Sequence, residues 1–203
     1  MLLAMEKDLE KTIREVDDFF MGRSKVHRTL ERVARALQEV NADFALAGGL
    51  AVGERGHLRV TVDVDLVVTA DGLRRFKERW LGRGYVEKSP GSRGVRDTET
   101  GVPIDFLIAG EYPGDGLPKL VKFPLPDSIA KGSGEIRVLD LVTLIALKLA
   151  SGISAPDRLQ DLADVLALIR ANQLTPDFAA GLDASVREKY SELWQAAQQK
   201  RDL

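Results

Sequence analysis

The sequence contains no cysteine. Disulfides, thiolate metal sites and cysteine nucleophiles are therefore excluded. Histidine is nearly absent too: His27 and His57 are the two present, too few for a multi-histidine centre. A metal held by this chain needs oxygen ligands, the donor set of magnesium or manganese. No apolar run reaches the roughly 20 residues that cross a bilayer. The N-terminal MLLAMEKDLEK turns charged at Glu6 and lacks the core of a signal peptide. A net charge of -2 gives no basic excess for a large non-specific nucleic-acid face. These absences lead to the expectation of a soluble, cytoplasmic protein.

What is present is an ordinary globular composition. The 203 residues are 44% apolar and 30% charged, enough to bury a core of normal size. The length suits one domain, or one domain with a helical appendage. No internal repeat or low-complexity tract is visible.

Residues 3–20 have helical character with many charges. Ser24 is placed to cap a second helix whose stripe is Val26, Leu30, Val33, Ala34 and Leu37. A short apolar strand at 44–47 runs into Gly48-Gly49, and a short helix is predicted over 50–55. Residues 60–69 read as a strand, with Val60, Val62, Val64 and Leu66 on one face and Thr61, Asp63, Asp65 and Val67 on the other. Asp71 is the expected cap of the next helix. Strands at 85–88 and 94–98 are joined by Pro90-Gly91-Ser92, and another strand at 101–108 carries Asp105. Residues 111–117 read as a loop and 125–134 as irregular. Helices are expected after Asp140, from Pro156, and from Thr175-Pro176. The expected organisation is an α/β core with N-terminal helices over 1–137 and a helical region over 138–203 packed on it. Trp80 and Trp194 are expected in or near the core, and His57 in a loop.

The chemistry concentrates in two places. Alternation on a strand puts the Cα atoms of Asp63 and Asp65 roughly 7 Å apart, with both side chains on one face. Two carboxylates on an apolar sheet oppose each other's ionisation, and burial opposes it further. A divalent cation removes that cost, and magnesium is held by one or two carboxylates plus substrate phosphates. If the strand of Asp105 neighbours the first, a third carboxylate joins, as suits two-metal catalysis. Upstream, Gly48-Gly49 lets a backbone approach a ligand closely ahead of a helix. Separately, Lys148 lies in LIALKLAS, a helix apolar nearly all round, so its ammonium is expected to be buried against a phosphate or a carboxylate.

Gly-Gly, then Asp-x-Asp 14 residues on, then a strand Asp resembles the nucleotidyltransferase superfamily that includes polymerase-β-like enzymes. The run Arg59, Thr61, Asp63, Asp65 and the later Lys148, Arg158, Asp161 and Asp164 resemble most closely the minimal and AbiEii-type members, several of them toxins of toxin–antitoxin pairs. The likeness covers about residues 43–170. It implies an α+β fold: a mixed β-sheet flanked by helices, followed by a C-terminal helical region. It implies magnesium- or manganese-dependent transfer of a nucleoside monophosphate from a nucleoside triphosphate to an acceptor hydroxyl, releasing pyrophosphate. By that likeness Asp63, Asp65 and Asp105 are catalytic metal ligands, with Asp105 as ligand or as base for the acceptor hydroxyl. Gly48, Gly49, Arg59, Thr61, Lys148 and Asp161 are its nucleotide contacts. The implied acceptors are a small molecule such as an aminoglycoside, a tRNA end or a protein, and an antitoxin is an implied partner.

Simpler readings stand beside these. The glycines also suit an ordinary turn, and the aspartates a solvated strand edge. Lys148 also suits a side chain reaching the surface. Arg158, Asp161 and Asp164 also suit a solvated ion-pair face. Arg74, Arg75, Lys77 and Arg79 also suit a local basic patch. The alternative function is a non-catalytic module that binds nucleotide or a partner on the same fold.

Overall fold

The computed structural model describes residues 2–112, 120–126, 130–131, 136–155 and 157–199. Two N-terminal helices come first, α1 (Leu2–Phe20) and α2 (Lys25–Glu39). Ser24 caps α2 as expected, its Oγ accepting from the His27 amide at 3.4 Å. The predicted stripe from Val26 to Leu37 is buried. Then follow β1 (Phe44–Leu46), α3 (Gly48–Glu54), β2 (Val64–Val68) and α4 (Ala70–Trp80). A hairpin of β3 (Tyr85–Glu87) and β4 (Val95–Asp97) leads to β5 (Pro103–Ile108). The short strands β6 (Ala130–Lys131) and β7 (Val138–Leu139) precede α5 (Leu141–Ser154) and α6 (Leu159–Ala171). Two 3-10 turns, Pro176–Gly181 and Ala184–Val186, lead to α7 (Arg187–Gln198).

The strands form one mixed sheet in the order β3-β4-β5-β2-β1-β7-β6. β2 and β5 are parallel neighbours at its centre, and β1 runs antiparallel to β2. On one face, Val64, Leu66, Ile104 and Phe106 are buried. Phe76 of α4 packs there, its ring centroid 5.1 Å from that of Phe106. The opposite face of the same strands carries Asp65, Val67, Asp105 and Leu107. Among the described residues, no helix is long and apolar enough to cross a membrane.

Several boundaries differ from the sequence expectation, each for a local reason. The strand predicted from residue 60 begins at Val64. β1 ends at Leu46 and β5 begins at Pro103, so residues 60–63 have no strand to pair with. Val60 and Val62 accordingly lie 43% and 73% exposed rather than on the buried face. The short helix starts at the glycines themselves, two residues ahead of the expected Leu50. Thr69, not Asp71, caps α4, its Oγ1 accepting from the Gly72 amide at 3.0 Å. Asp71 instead pairs with Arg74 and Arg75 one turn on. Asp140 does cap α5, accepting from the Thr143 amide at 2.8 Å. The helix expected from Pro156 begins at Leu159, and Pro156 lies outside the described residues. The predicted loop at 111–117 is described only over 111–112, and the stretch read as irregular contributes β6. Trp80 and Trp194 pack against the core, donating to the Ala36 carbonyl at 3.1 Å and the Leu174 carbonyl at 2.8 Å.

The basic run on α4 does not form a free cationic face. Arg74 is paired with Asp71 and Glu78, Arg75 with Asp71, and Lys77 with Glu87. Arg79 lies over the ring of Trp80 at 5.4 Å. Helical spacing of three and four brings Asp71 and Glu78 onto Arg74 and Arg75, while Glu87 reaches Lys77 from β3.

Candidate active site

Parallel pairing sets Asp65 directly beside Asp105, the two sharing a face of the sheet. Asp63 lies just ahead of β2, where Thr61 Oγ1 donates to its Oδ1 at 2.7 Å. One carboxylate oxygen from each of Asp63, Asp65 and Asp105 lies within 4.8 Å of the others, and all three residues are half-buried. The expected meeting of Asp63 and Asp65 is seen, although Asp63 lies outside the strand, and Asp105 joins them because β5 is the parallel neighbour of β2. Lys88 of the hairpin was not foreseen, since nothing in its local sequence marks it. Its Nζ donates to both oxygens of Asp105 at 2.9 and 3.0 Å.

Asp65 carries the electrostatic strain of this arrangement. Burial first, then the charges of Asp63 and Asp105, push its carboxyl up from 3.8 to about 7. Among the described residues, Lys88 is the one cation within ion-pair distance of these three carboxylates, so the site keeps a negative surplus. That surplus and an all-oxygen donor set fit a small divalent cation.

Gly48 closes in on the same group. Its φ of +61° is a left-handed conformation, and a Cβ built on it would lie 1.8 Å from Asp65 Oδ2. No larger residue fits here without moving Asp65. A Cβ on Gly49 would meet Thr61 Oγ1 at 2.9 Å and Arg59 Nη1 at 3.3 Å. The glycine pair therefore lets backbone come up against the carboxylates and the 59–61 segment at once.

The helices supply the other wall. Lys148, on the buried α5, is 7% exposed. Its Nζ meets Asp161 Oδ1 and Asp164 Oδ2, each at 2.7 Å. The expected burial is observed, and the partners are carboxylates. Ser151, one helical turn from Lys148, donates to Asp161 Oδ2 at 2.6 Å. Asp164 is fully buried, which corrects the picture of a solvated ion-pair face on α6. Arg59 grips it with two bonds, Nε to Oδ1 at 2.6 Å and Nη2 to Oδ2 at 2.8 Å. Gln160 Nε2 adds a third donor at 2.9 Å. Burial alone would raise the Asp164 carboxyl, but the bonds from Arg59, Lys148 and Gln160 outweigh it and hold it below the usual range. The same pairing holds the Arg59 guanidinium above its ordinary value. The sequence did carry a hint: Val165 and Leu168, adjacent and four residues on, are apolar core positions. Arg158 alone of that trio suits the solvated picture, its side chain 60% exposed.

These walls enclose a half-open cleft of about 940 Å³. Gly48, Gly49, Arg59, Thr61, Asp63, Asp65, Asp105, Lys148 and Asp161 all line it, and so does Arg158. His57 does not, and sits in the turn after α3.

A mixed sheet with this helical arrangement is a nucleotidyltransferase-like fold. The chain is similar to the solution structure of the antibiotic-resistance factor ANT(2'')-Ia, with a TM-score of 0.51 at 16% identity, over 82% of this chain and 94% of that one. A crystal structure of ANT(2'')-Ia in complex with adenylyl-2''-tobramycin gives a TM-score of 0.47 at 13% identity, over 84% of this chain and 95% of that one. No family model and no curated protein matches the sequence.

Proposed function

We propose that the protein is a nucleotidyltransferase that moves a nucleoside monophosphate from a nucleoside triphosphate to an acceptor hydroxyl. The observation that supports this most is the convergence of Asp63, Asp65 and Asp105 within 4.8 Å, on the floor of an open cleft beside Gly48. In this reading Asp63, Asp65 and Asp105 hold magnesium or manganese, which supplies charge neutralisation for the phosphates and Lewis acidity at the reacting phosphorus. Asp105 is in addition the group that accepts the acceptor's proton. The acceptor oxygen forms a bond to the α-phosphorus, the bond to the β-phosphate oxygen breaks, and pyrophosphate and the proton leave. Gly48 and Gly49 present bare backbone to the phosphates. Arg59 and Thr61 order the aspartate-bearing segment, while Lys148 and Asp161 form the wall facing the nucleotide.

The cleft volume and the neutralised cations of α4 favour a small-molecule hydroxyl over a long RNA as acceptor. The structural neighbour's name as an antibiotic-resistance factor agrees with a small-molecule acceptor. The resemblance of the run Arg59, Thr61, Asp63, Asp65 to toxin–antitoxin nucleotidyltransferases is what supports a second, finer reading as a toxin of such a pair.

The test is pyrophosphate release from each nucleoside triphosphate with magnesium, in the presence of an aminoglycoside mixture or of tRNA. Release with one acceptor class is expected, falling at least about 10²-fold in Asp63→Asn while its circular dichroism is unchanged. Full activity in Asp63→Asn would sink the assignment. Calorimetric binding of ATP and magnesium without any turnover would favour the non-catalytic module instead.

A further inference from the structure

Residues 59–63 hold Asp63 in place without belonging to the sheet, since β2 begins only at Val64. All five residues line the cleft, with Val60 and Val62 the most exposed of them at 43% and 73%. With no ladder to fix it, the segment depends on side-chain contacts. Thr61 bonds within the segment, to Asp63. Among the described residues, its side-chain hydrogen bonds to the C-terminal helices come only from Arg59, and both end on Asp164.

Asp164 does not line the cleft. It is fully buried beneath the wall, with Arg59, Lys148 and Gln160 around it. A buried carboxylate that gathers two cations and an amide from three elements fixes the geometry of all of them. We infer that Asp164 is a positioning residue: through Arg59 it ties the 59–63 segment to α6 and α5, and so holds Asp63 in register with Asp65 and Asp105. The metal-binding half of this inference rests on the function proposed above; the tether does not.

Arg59 and Lys148 are matched by Asp161 and Asp164, so the network is neutral and leaves the negative surplus of Asp63, Asp65 and Asp105 to the cleft. Removing the charge of Asp164 releases Arg59 from α6 and leaves the 59–63 segment without that anchor.

Two variants test this. Asp164→Asn keeps the shape and removes the charge. The paired Arg59→Met/Asp164→Leu variant replaces the ion pair by apolar groups, a change that buried pairs often tolerate in stability. In Asp164→Asn, tryptic cleavage at Arg59–Val60 is expected to rise about tenfold, because the guanidinium becomes available to the protease, while other cleavage sites keep their rates. Manganese affinity, read by electron paramagnetic resonance on the nucleotide-free protein, is expected to fall about 10- to 100-fold in both variants. The paired variant is expected to melt near the parent yet bind manganese weakly, which a purely structural role would not produce. Parental cleavage at Arg59–Val60 in Asp164→Asn would overturn the tether. Parental manganese affinity in a stable paired variant would overturn the positioning role. A parent that binds no manganese, together with accelerated cleavage in Asp164→Asn, would uphold the tether and fail the nucleotidyltransferase reading.

Discussion

Asp65→Asn is expected to make the metal-free protein more stable at pH 8 while abolishing its divalent-cation binding. The reason lies in the raised carboxyl. Asp65 titrates near 7 in the folded protein against an ordinary 3.8. A folded-state value above the unfolded one means that folding favours the protonated form. Below about 3.8 both states are protonated and the group has no effect. Between there and about 7 the folded protein loses stability as pH rises, and above about 7 the whole penalty is present. A rise of this size corresponds to about 4 kcal/mol, which solvent at this half-buried site reduces to about 1–3 kcal/mol. Asparagine carries no charge to penalise. In calorimetric melts without metal, the variant is expected to exceed the parent at pH 8 by roughly 2–10 °C, with the gap closing toward pH 4. Saturating magnesium is expected to stabilise the parent by mass action and to leave the variant unmoved. A variant less stable than the parent at pH 8 in chelator would show that Asp65 is not a destabilised group awaiting a cation.

Lys148→Met is expected to have the opposite sign and a larger size. Methionine keeps the length of the side chain and its packing in α5. The lost ammonium leaves Asp161 and Asp164 close together, with Arg59 as the remaining cation bonded to Asp164. Breaking a buried pair from one side costs about 3–5 kcal/mol, which lowers the melting temperature by roughly 6–20 °C in a chain of this size. Arg158→Met is the internal control. Its head is exposed and 4.0 Å from Asp161, so the loss should stay under about 1 kcal/mol. Equal melting of the two variants would mean that Lys148 does not balance the buried aspartates.

The two variants also mark what sequence reasoning reached. The common facing of Asp63 and Asp65 was legible because alternation is a local rule, whereas the arrival of Asp105 depended on β5 pairing with β2, which no local pattern states. The burial of Lys148 was legible because its helix is apolar on all sides. The strand boundary at Val64 was not, because it depends on where β1 and β5 end, which the sequence of β2 does not contain. Asp164 was ambiguous for a related reason. Its spacing to Arg158 and Asp161 suits an exposed face, and its burial is compensated by Arg59, 105 positions earlier, together with Lys148 and Gln160. Lys88 left no trace at all, since its partner Asp105 is reached by folding the β3–β4 hairpin over the edge of the site. Local periodicity thus recovers which residues point inward; it does not recover which distant charges meet.

Asp63, Asp65 and Asp105 are proposed to hold a divalent cation against a triphosphate beside Gly48-Gly49. The direct measurement is a crystal structure with manganese and a non-hydrolysable nucleoside triphosphate, read by anomalous scattering. The expected result is an anomalous peak within ligand distance of carboxylate oxygens of Asp63 and Asp65, with phosphate oxygens completing its coordination. A bound triphosphate with no peak at these aspartates, or a peak elsewhere on the chain, would contradict it.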